Sequence, residues 1–377
     1  MHQTLISAKN QNKLPKITVY NRIDGPGSSL DLRLFQQAFW KLPDAHVVDK
    51  MIDEKDSSKS WSMHLPRTIG MSINIGTEIV ASPIQEGKLG IESLDFGFSF
   101  TFNKDVIPPK TEYWLLKIMQ AFNLNGVKFT IRNKFPELKS AGLGGSAALT
   151  TGVCLLANKL SGNKFSHQQL IGMASLVEED LGVSLTGTQE QSCAIYGGVK
   201  DYIWFPWGIP GKDNLYGTSV RQELLKEEEY KELRQHVDVY FTAERHSSDV
   251  NAKWIAALKT TNGYLLHKQK CELAYKFREA LRNKDWKLIR APIEEYRQIR
   301  TQLCSYYMSD AHNELNRIVN EHNAVCFPMG GGGGSVLVYA ENPDDLKRLR
   351  SVLSQKFRYL EFDFIPYGHK FENCEGF

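Results

Sequence analysis

Residues 127–160 constrain the fold of this chain more than any other stretch. Val127-Lys128-Phe129-Thr130-Ile131 alternates apolar and polar residues, the period-two pattern of a half-buried strand. Leu149 to Leu160 spaces Leu, Val and Ala as a buried helix does. Between them lies Pro136-Glu137-Leu138-Lys139-Ser140-Ala141-Gly142-Leu143-Gly144-Gly145-Ser146-Ala147-Ala148. Strand, glycine-rich loop and helix together present backbone N–H groups at a helix start. Those orphan donors and the positive end of the helix dipole bind anions, phosphate above all. Gly142, Gly144 and Gly145 leave the backbone open to close approach. Ser146 sets a hydroxyl where a metal or a phosphate oxygen could sit. No Gly-Lys-Ser/Thr follows the glycines, so this is not a Walker A loop. Their spacing also differs from the Gly-x-Gly-x-x-Gly dinucleotide fingerprint.

A loop of this kind needs a core to hold it. The chain has 377 residues, 42% of them hydrophobic and 24% charged, enough for two globular domains or one large one. A net charge of +3 at this size does not point to a nucleic-acid-binding surface. The six cysteines are scattered without CxxC pairs, which argues against zinc or a disulfide framework and for a reducing compartment. The first fifteen residues are polar and unlike a signal peptide. No apolar run approaches the ~18–20 residues that cross a bilayer. The expectation is a soluble cytoplasmic protein with neither a nucleic-acid nor a membrane partner.

Read in order, the chain alternates strand and helix signals. Ile17-Thr18-Val19-Tyr20 reads as a strand ended by the turn formers Asp24-Gly25-Pro26-Gly27-Ser28-Ser29. Leu30 to Leu42 reads as a short helix, and 49–60 as a charged surface loop. Thr68 to Ala81 reads as a strand or a hairpin, Phe96 to Phe102 as a strand, and Tyr113 to Phe122 as a helix. Ser166-His167-Gln168-Gln169 has the capping-box pattern and starts a helix ending at Glu178-Glu179-Asp180. A second loop follows at Thr186 to Gln191, then a strand from Val199 to Phe205. Turn formers between Trp207 and Asn214 suggest a boundary, dividing the chain into 1–206 and 207–377. Val237 to Thr242 reads as a strand, and 250–325 as almost wholly helical. There Trp254, Leu258, Leu273, Phe277, Leu281, Leu288, Ile293 and Ile299 fall at core spacings. Gly330 to Gly334, five consecutive glycines, end this stretch. Val336 to Tyr339 is a strand, Asp344 to Phe357 a helix, and Leu360 to Ile365 a last strand. A tight turn needs one or two glycines. Five cost conformational entropy in each molecule, which points to close approach of something and makes this run a second phosphate-loop candidate.

The loop at 142–148 resembles the Pro-x-x-x-Gly-Leu-Gly-Ser-Ser-Ala-Ala loop of the GHMP kinases, the superfamily of galactokinase, homoserine kinase and mevalonate kinase. Gly145 stands where that family usually has its first serine, and Ser146 matches the second. The glycine run resembles the family's Gly-Ala-Gly-Gly-Gly-Gly motif, with Cys326 where many members carry a lysine. Arg22, Gly27 and Asp31 match the spacing of an Arg, Gly and Asp common to its sugar kinases. Gly187-Thr188-Gln189-Glu190-Gln191 and Tyr196-Gly197-Gly198 resemble the Gly-x-Gln-Asp-Gln and Tyr-Gly-Gly of heptose-phosphate kinases, with Glu190 in place of the aspartate. Thr242 to Ser248 resembles, more faintly, a Thr-Gly-x-Ser-Arg-x-Ala loop of the same enzymes.

The resemblance implies an α+β fold of two domains. The N-terminal half would resemble ribosomal protein S5 domain 2 and bind ATP; the C-terminal half would be ferredoxin-like. It implies transfer of the ATP γ-phosphoryl to a hydroxyl of a small-molecule substrate, a sugar or sugar phosphate of the heptose-phosphate kind, at the anomeric position. Gly142, Leu143, Gly144, Gly145, Ser146 and Ala147 would wrap the nucleotide phosphates. Ser146 and Glu178 would hold Mg²⁺. Glu190 would take the hydroxyl proton, and Arg22 would pair with it and stabilise the transferring phosphoryl. Asp31, with Gly331, Gly332 and Gly333, would contact the substrate. A kinase for a non-sugar alcohol or an amino acid, and an inactive nucleotide-binding homologue, stand as alternatives.

Overall fold

The computed structural model of the protein describes residues 14–39, 60–95, 97–106, 113–135, 142–183, 185–205, 218–244 and 249–374. The strands are β1 (Lys16–Asp24), β2 (Arg67–Pro83), β3 (Lys88–Ser93), β4 (Phe98–Asn103), β5 (Val127–Asn133), β6 (Val199–Phe205), β7 (Thr218–Leu225), β8 (Val237–Phe241), β9 (Ala324–Pro328), β10 (Ser335–Ala340), β11 (Arg358–Tyr359) and β12 (His369–Glu372). The helices are α1 (Arg33–Phe39), α2 (Trp114–Ala121), α3 (Gly145–Leu160), α4 (His167–Asp180), α5 (Gln189–Tyr196), α6 (Tyr230–Arg234), α7 (Asp249–Ala257), α8 (Thr261–Arg282), α9 (Trp286–Leu303), α10 (Asp310–Asn320) and α11 (Pro343–Leu353).

The strands form two sheets. The larger runs β12-β1-β2-β5-β3-β4, with β6 and β7 added where β2 extends beyond β5. β2 reaches both sets of partners because it is a single strand of 17 residues rather than a hairpin. One end pairs β6 from Arg67 to Met71, and the other pairs β5 from Thr77 to Pro83. The smaller sheet runs β11-β8-β10-β9, all antiparallel. In chain order that is 4-1-3-2, with α7–α10 in the first crossover and α11 in the second, a ferredoxin-like arrangement.

Side-chain alternation places the core. Ile17, Val19, Ile79, Phe129 and Ile131 bury one face of the large sheet under α2, α3 and α4. In the small sheet, Tyr240, Val336, Val338 and Ala340 face α10 and α11. Val239, Leu337 and Tyr339, one residue out of phase, face the opposite way. They join a cluster with α8, α9 and the large-sheet residues Ile69, Met71 and Ile73. The long α8–α9 pair therefore lies in a core shared by both sheets.

Several sequence expectations need correction. Leu288 is 61% exposed, because α9 turns that position outward while Ile289 and Ile293 are buried. β9 starts inside the stretch read as helical, so the glycine run links two strands of one sheet. Leu360 to Ile365 does alternate in burial, yet it forms no ladder beyond the Ile73–Phe364 bridge. It crosses between sheets instead: the Leu360 N–H donates to Val239 O, and the Ile365 N–H donates to Ser72 O. The expected helix from Leu30 begins only at Arg33. Its end, the 49–59 loop, the expected boundary near 206–217 and residues 245–248 lie outside the described residues.

Candidate active site

The site grows from the glycine loop. Gly144, at φ +73°, is the residue from which α3 departs. Gly145 and Ser146, the first turn of α3, are exposed with their backbone N–H groups at the helix start. A cavity of about 790 Å³ opens against them, walled by β1, the loop, the start of α5 and the glycine turn at 330–331. The two glycine segments touch: a Cβ on Gly142 would lie 2.9 Å from Met329 O.

β1 reaches this cavity by leaving its partner. Tyr20 pairs with Gly76, but Arg22 pairs with Ser72, so the β1–β2 ladder slips between them. The Arg22 N–H donates to Leu143 O of the loop, at 3.3 Å. Slips of this kind re-aim side chains beside functional sites. The Arg22 guanidinium is buried. It donates to Gly142 O at 2.9 Å and to Glu190 Oε1, and its Nε lies 2.7 Å from Asp24 Oδ1. Burial works against its charge, but the Asp24 and Glu190 carboxylates outweigh burial and raise its pKa. Glu190 is the second residue of α5, within the stretch that the sequence reads as a loop, and its side chain is 19% exposed.

Asp31, two residues before α1, is buried against the start of α5: its Oδ2 accepts the Gln189 N–H at 2.9 Å. A Cβ on Gly187 would fall 1.9 Å from that oxygen, so only glycine allows the contact. Burial, and then the charge of Glu190, push the Asp31 pKa up to about 7. Ser28, Ser29 and Asp31 form the polar wall at this end of the cavity.

On the other side, Ser146 Oγ donates to Glu178 Oε1 at 3.0 Å and Thr150 Oγ1 donates to the same oxygen at 2.6 Å. Trp114 Nε1 donates to Thr150 Oγ1 at 3.0 Å. Burial pushes the Glu178 pKa up to about 7, against the two hydroxyl bonds, which lower it. Glu178 Oε2 is buried with no hydrogen-bond partner among the described residues. An orphan carboxylate oxygen beside a serine hydroxyl and a phosphate-type loop is the hard-oxygen donor set that Mg²⁺ takes. Among the described residues, no group of three His, Cys, Asp or Glu could hold a metal unaided. Mg²⁺ would then take its remaining ligands from phosphate and water. Beyond Trp114 the cavity is aromatic: Phe98 stacks on Phe100, and Phe100 meets Tyr113 edge-on.

The family model for the GHMP kinases N terminal domain matches residues 112–198, a span that includes α2, α3, α4 and α5. Residues 112–198 are thus similar to a GHMP kinase N-terminal domain. No curated protein sequence matches the chain. Solved structures match along its length. Mevalonate kinase of Methanococcus jannaschii is 16% identical, at TM-score 0.63 over 94% of this chain and 99% of that one. A D-glycero-D-manno-heptose 1-phosphate kinase of Bacteroides thetaiotaomicron is 14% identical, at 0.64 over 95% and 98%. Streptococcus pneumoniae phosphomevalonate kinase, in complex with phosphomevalonate and AMPPNP, is 15% identical, at 0.66 over 93% and 99%. Identities this low carry the fold, and the fold is that of the GHMP kinases.

Within the GHMP fold the expected residues divide. Arg22, Asp31, Ser146, Glu178, Glu190 and Gly331 line one cavity, with Gly142 to Ala147 beside them. Gly332 instead backs onto Tyr307, and the Gly333 N–H donates to Met329 O within the turn. Cys326 lies buried inside β9. The faint motif is described only at Thr242 to Glu244, where Thr242 Oγ1 donates to Gly334 O at 3.1 Å.

Sequence reading missed four participants. Asp24 was absorbed into a turn signal, yet it follows Arg22 by two and so shares its face of β1. Asp24 accepts from Gln189 Nε2 at 3.1 Å and from the Gly330 N–H at 3.1 Å, linking α5 to the glycine turn. Thr150 follows Ser146 by four, hence one helical turn on the same face. Lys270 of α8 is fully buried, donates to Ser29 Oγ at 2.8 Å, and lies among the rings of Phe35, Trp254 and Tyr296. Arg300 of α9 donates to Gly330 O and to Pro328 O. Neither cation carries a local sequence signal, because each reaches the site across 200 or more residues or from behind a turn.

Proposed function

We propose that the protein transfers the γ-phosphoryl group of ATP to a hydroxyl of a small molecule, with a sugar as the acceptor class. The observation that carries this reading is the convergence of Arg22, Glu190, Ser146 and Glu178 on one cavity beside a glycine loop at a helix start. The aromatic end of the cavity suits a purine ring, the loop its phosphates, and the Ser28–Asp31 wall an acceptor rich in hydroxyls.

In this mechanism the acceptor oxygen bonds to the γ-phosphorus as the β,γ-bridging P–O bond breaks. The hydroxyl proton passes to Glu190, and ADP leaves. Arg22 holds the Glu190 carboxylate and lies beside the charge that develops on the phosphoryl oxygens. Ser146 and Glu178 would hold Mg²⁺, which would neutralise phosphate charge when bound. Asp31 and Ser29 would orient the acceptor, since positioning supplies much of the rate in such reactions.

Among the described residues that line the cavity, the only cation is Arg22, and it is already engaged by two carboxylates. This favours an uncharged sugar over a sugar phosphate. A phosphorylated acceptor would need a counter-charge that these lining residues do not supply. The test incubates the protein with Mg·ATP and a panel of sugars, sugar phosphates, mevalonate, phosphomevalonate and homoserine, and detects products by mass. A product 80 Da heavier than a sugar supports the reading. Product only from mevalonate, phosphomevalonate or homoserine moves it to the non-sugar class, and ADP without any acceptor product removes it.

A further inference from the structure

We propose that the side-chain amide of Asn21 contacts the terminal phosphate of the bound nucleotide, standing in for a hydroxyl that the glycine loop lacks at position 145. The proposal rests on the phosphoryl-transfer reading above and adds a residue to it.

Three observations meet at this side chain. Asn21 lies where the β1–β2 ladder slips, between the Tyr20–Gly76 and Arg22–Ser72 pairs, and it lines the cavity. Its Oδ1 is buried without a hydrogen-bond partner among the described residues. An amide held at a ladder slip with its oxygen left unbonded is positioned by something other than its own hydrogen bonding through that oxygen. The third observation concerns Gly145. A Cβ built there would have a single heavy atom from the described surroundings within 4 Å, Asn21 Nδ2 at 4.0 Å.

GHMP loops usually carry a serine at that position, and its hydroxyl would extend one bond beyond the Cβ. The Asn21 amide therefore faces the place such a hydroxyl would occupy. It is a donor like the hydroxyl, and it is neutral, so it can bond a phosphate oxygen without a counter-ion. Arg22, the next residue, pairs with Glu190. The amide thus lies between the loop that takes the phosphates and the carboxylate that takes the proton. That is where the group being transferred must sit, so the contact belongs to the terminal phosphate rather than to the two that remain on ADP.

The experiment measures the affinity of Mg·AMPPNP and of Mg·ADP by titration calorimetry. It compares the wild type with Asn21→Ala, Asn21→Asp and the double variant Asn21→Ala/Gly145→Ser, recording the thermal midpoint of each. A hydrogen bond to a charged group predicts that Asn21→Ala weakens AMPPNP about 10- to 100-fold and ADP less than about threefold. Asn21→Asp keeps the shape, removes the donor and adds a like charge, so its loss should be at least as large. The double variant should regain most of the AMPPNP affinity. A change under threefold for Asn21→Ala, equal losses for both nucleotides, wild-type affinity in Asn21→Asp, or no regain in the double variant would each overturn the proposal. If Asn21→Ala does not fold, the isosteric Asn21→Asp carries the same contrast. Wild-type protein that binds neither nucleotide overturns the kinase reading itself. Wild-type binding with an unaffected Asn21→Ala overturns only the role of Asn21.

Discussion

Asp31 shows how burial gives an ordinary carboxylate a working range. Its pKa is raised to about 7 in the folded protein, against an ordinary value of 3.8. Between those values the folded state binds more protons than the unfolded state. Asp31 thus favours folding most below about pH 4, and that contribution is lost as pH rises through 7. If its ionised form accepts acceptor hydroxyls, acceptor KM should fall as pH rises from 6 to 8. Asp31→Asn should flatten both the stability slope and the KM slope; a KM profile unchanged by the substitution would remove Asp31 from the acceptor site. Lys270 is the mirror case. Burial, and then Arg300, pull its pKa far down, and no carboxylate lies within ion-pair distance among the described residues. Replacing it by an apolar chain of similar length should therefore cost little. Lys270→Met should leave stability at pH 7 unchanged or raise it by about 1–3 kcal/mol, read from denaturant midpoints. A loss above about 2 kcal/mol would mean that the Ser29 bond matters more than the buried charge. At this scale the sequence singled out residues that the fold gathers in one cavity where a motif holds them in order, as with Arg22, Asp31 and Glu190. It was silent on Lys270, whose meaning comes only from the fold bringing α8 behind Ser29.

The strand–loop–helix unit was legible as a unit because its signals are local. Alternation marks β5, apolar spacing marks α3, and glycines mark the join. The capping box at Ser166 was equally local, and α4 starts there with both reciprocal bonds formed. The start of α5 was not legible. Glu190 and Gln191 read as loop because Thr186-Gly187-Thr188 is polar and glycine-containing, while the helix is held by tertiary bonds from Gln189 to Asp24 and Asp31. Gly144 joins these two elements. A Cβ there would lie 2.6 Å from Glu190 Cγ and 3.6 Å from Arg22 Cζ, and the residue is left-handed at φ +73°. Gly144→Ala should therefore cost about 1–2 kcal/mol in backbone conformation alone. It should also displace Glu190, lowering kcat at least 10-fold with a smaller effect on nucleotide affinity. Steady-state kinetics and calorimetry on this variant check both parts, and unchanged kcat would show that Glu190 does not depend on the loop above it.

Across the whole molecule, the α+β fold was implied by the resemblance to the GHMP kinases, but the routes between the two sheets were not legible. β7 and β12 come from beyond residue 206 and complete the large sheet, and 360–365 runs from one sheet to the other. Such pairings depend on which edges are free in the folded molecule, which no window of sequence records. The cavity is likewise a property of the whole: β1, α3, α5 and the 330–331 turn each contribute one wall. The central claim is that this cavity carries out phosphoryl transfer with Glu190 as the proton acceptor. The most direct test is kcat for wild type and Glu190→Gln on one accepted substrate, with Mg·AMPPNP affinity measured alongside. The account predicts turnover by the wild type, a fall of roughly 100- to 10,000-fold in the variant, and nucleotide affinity within about threefold. Wild-type turnover that survives Glu190→Gln within about threefold would contradict it.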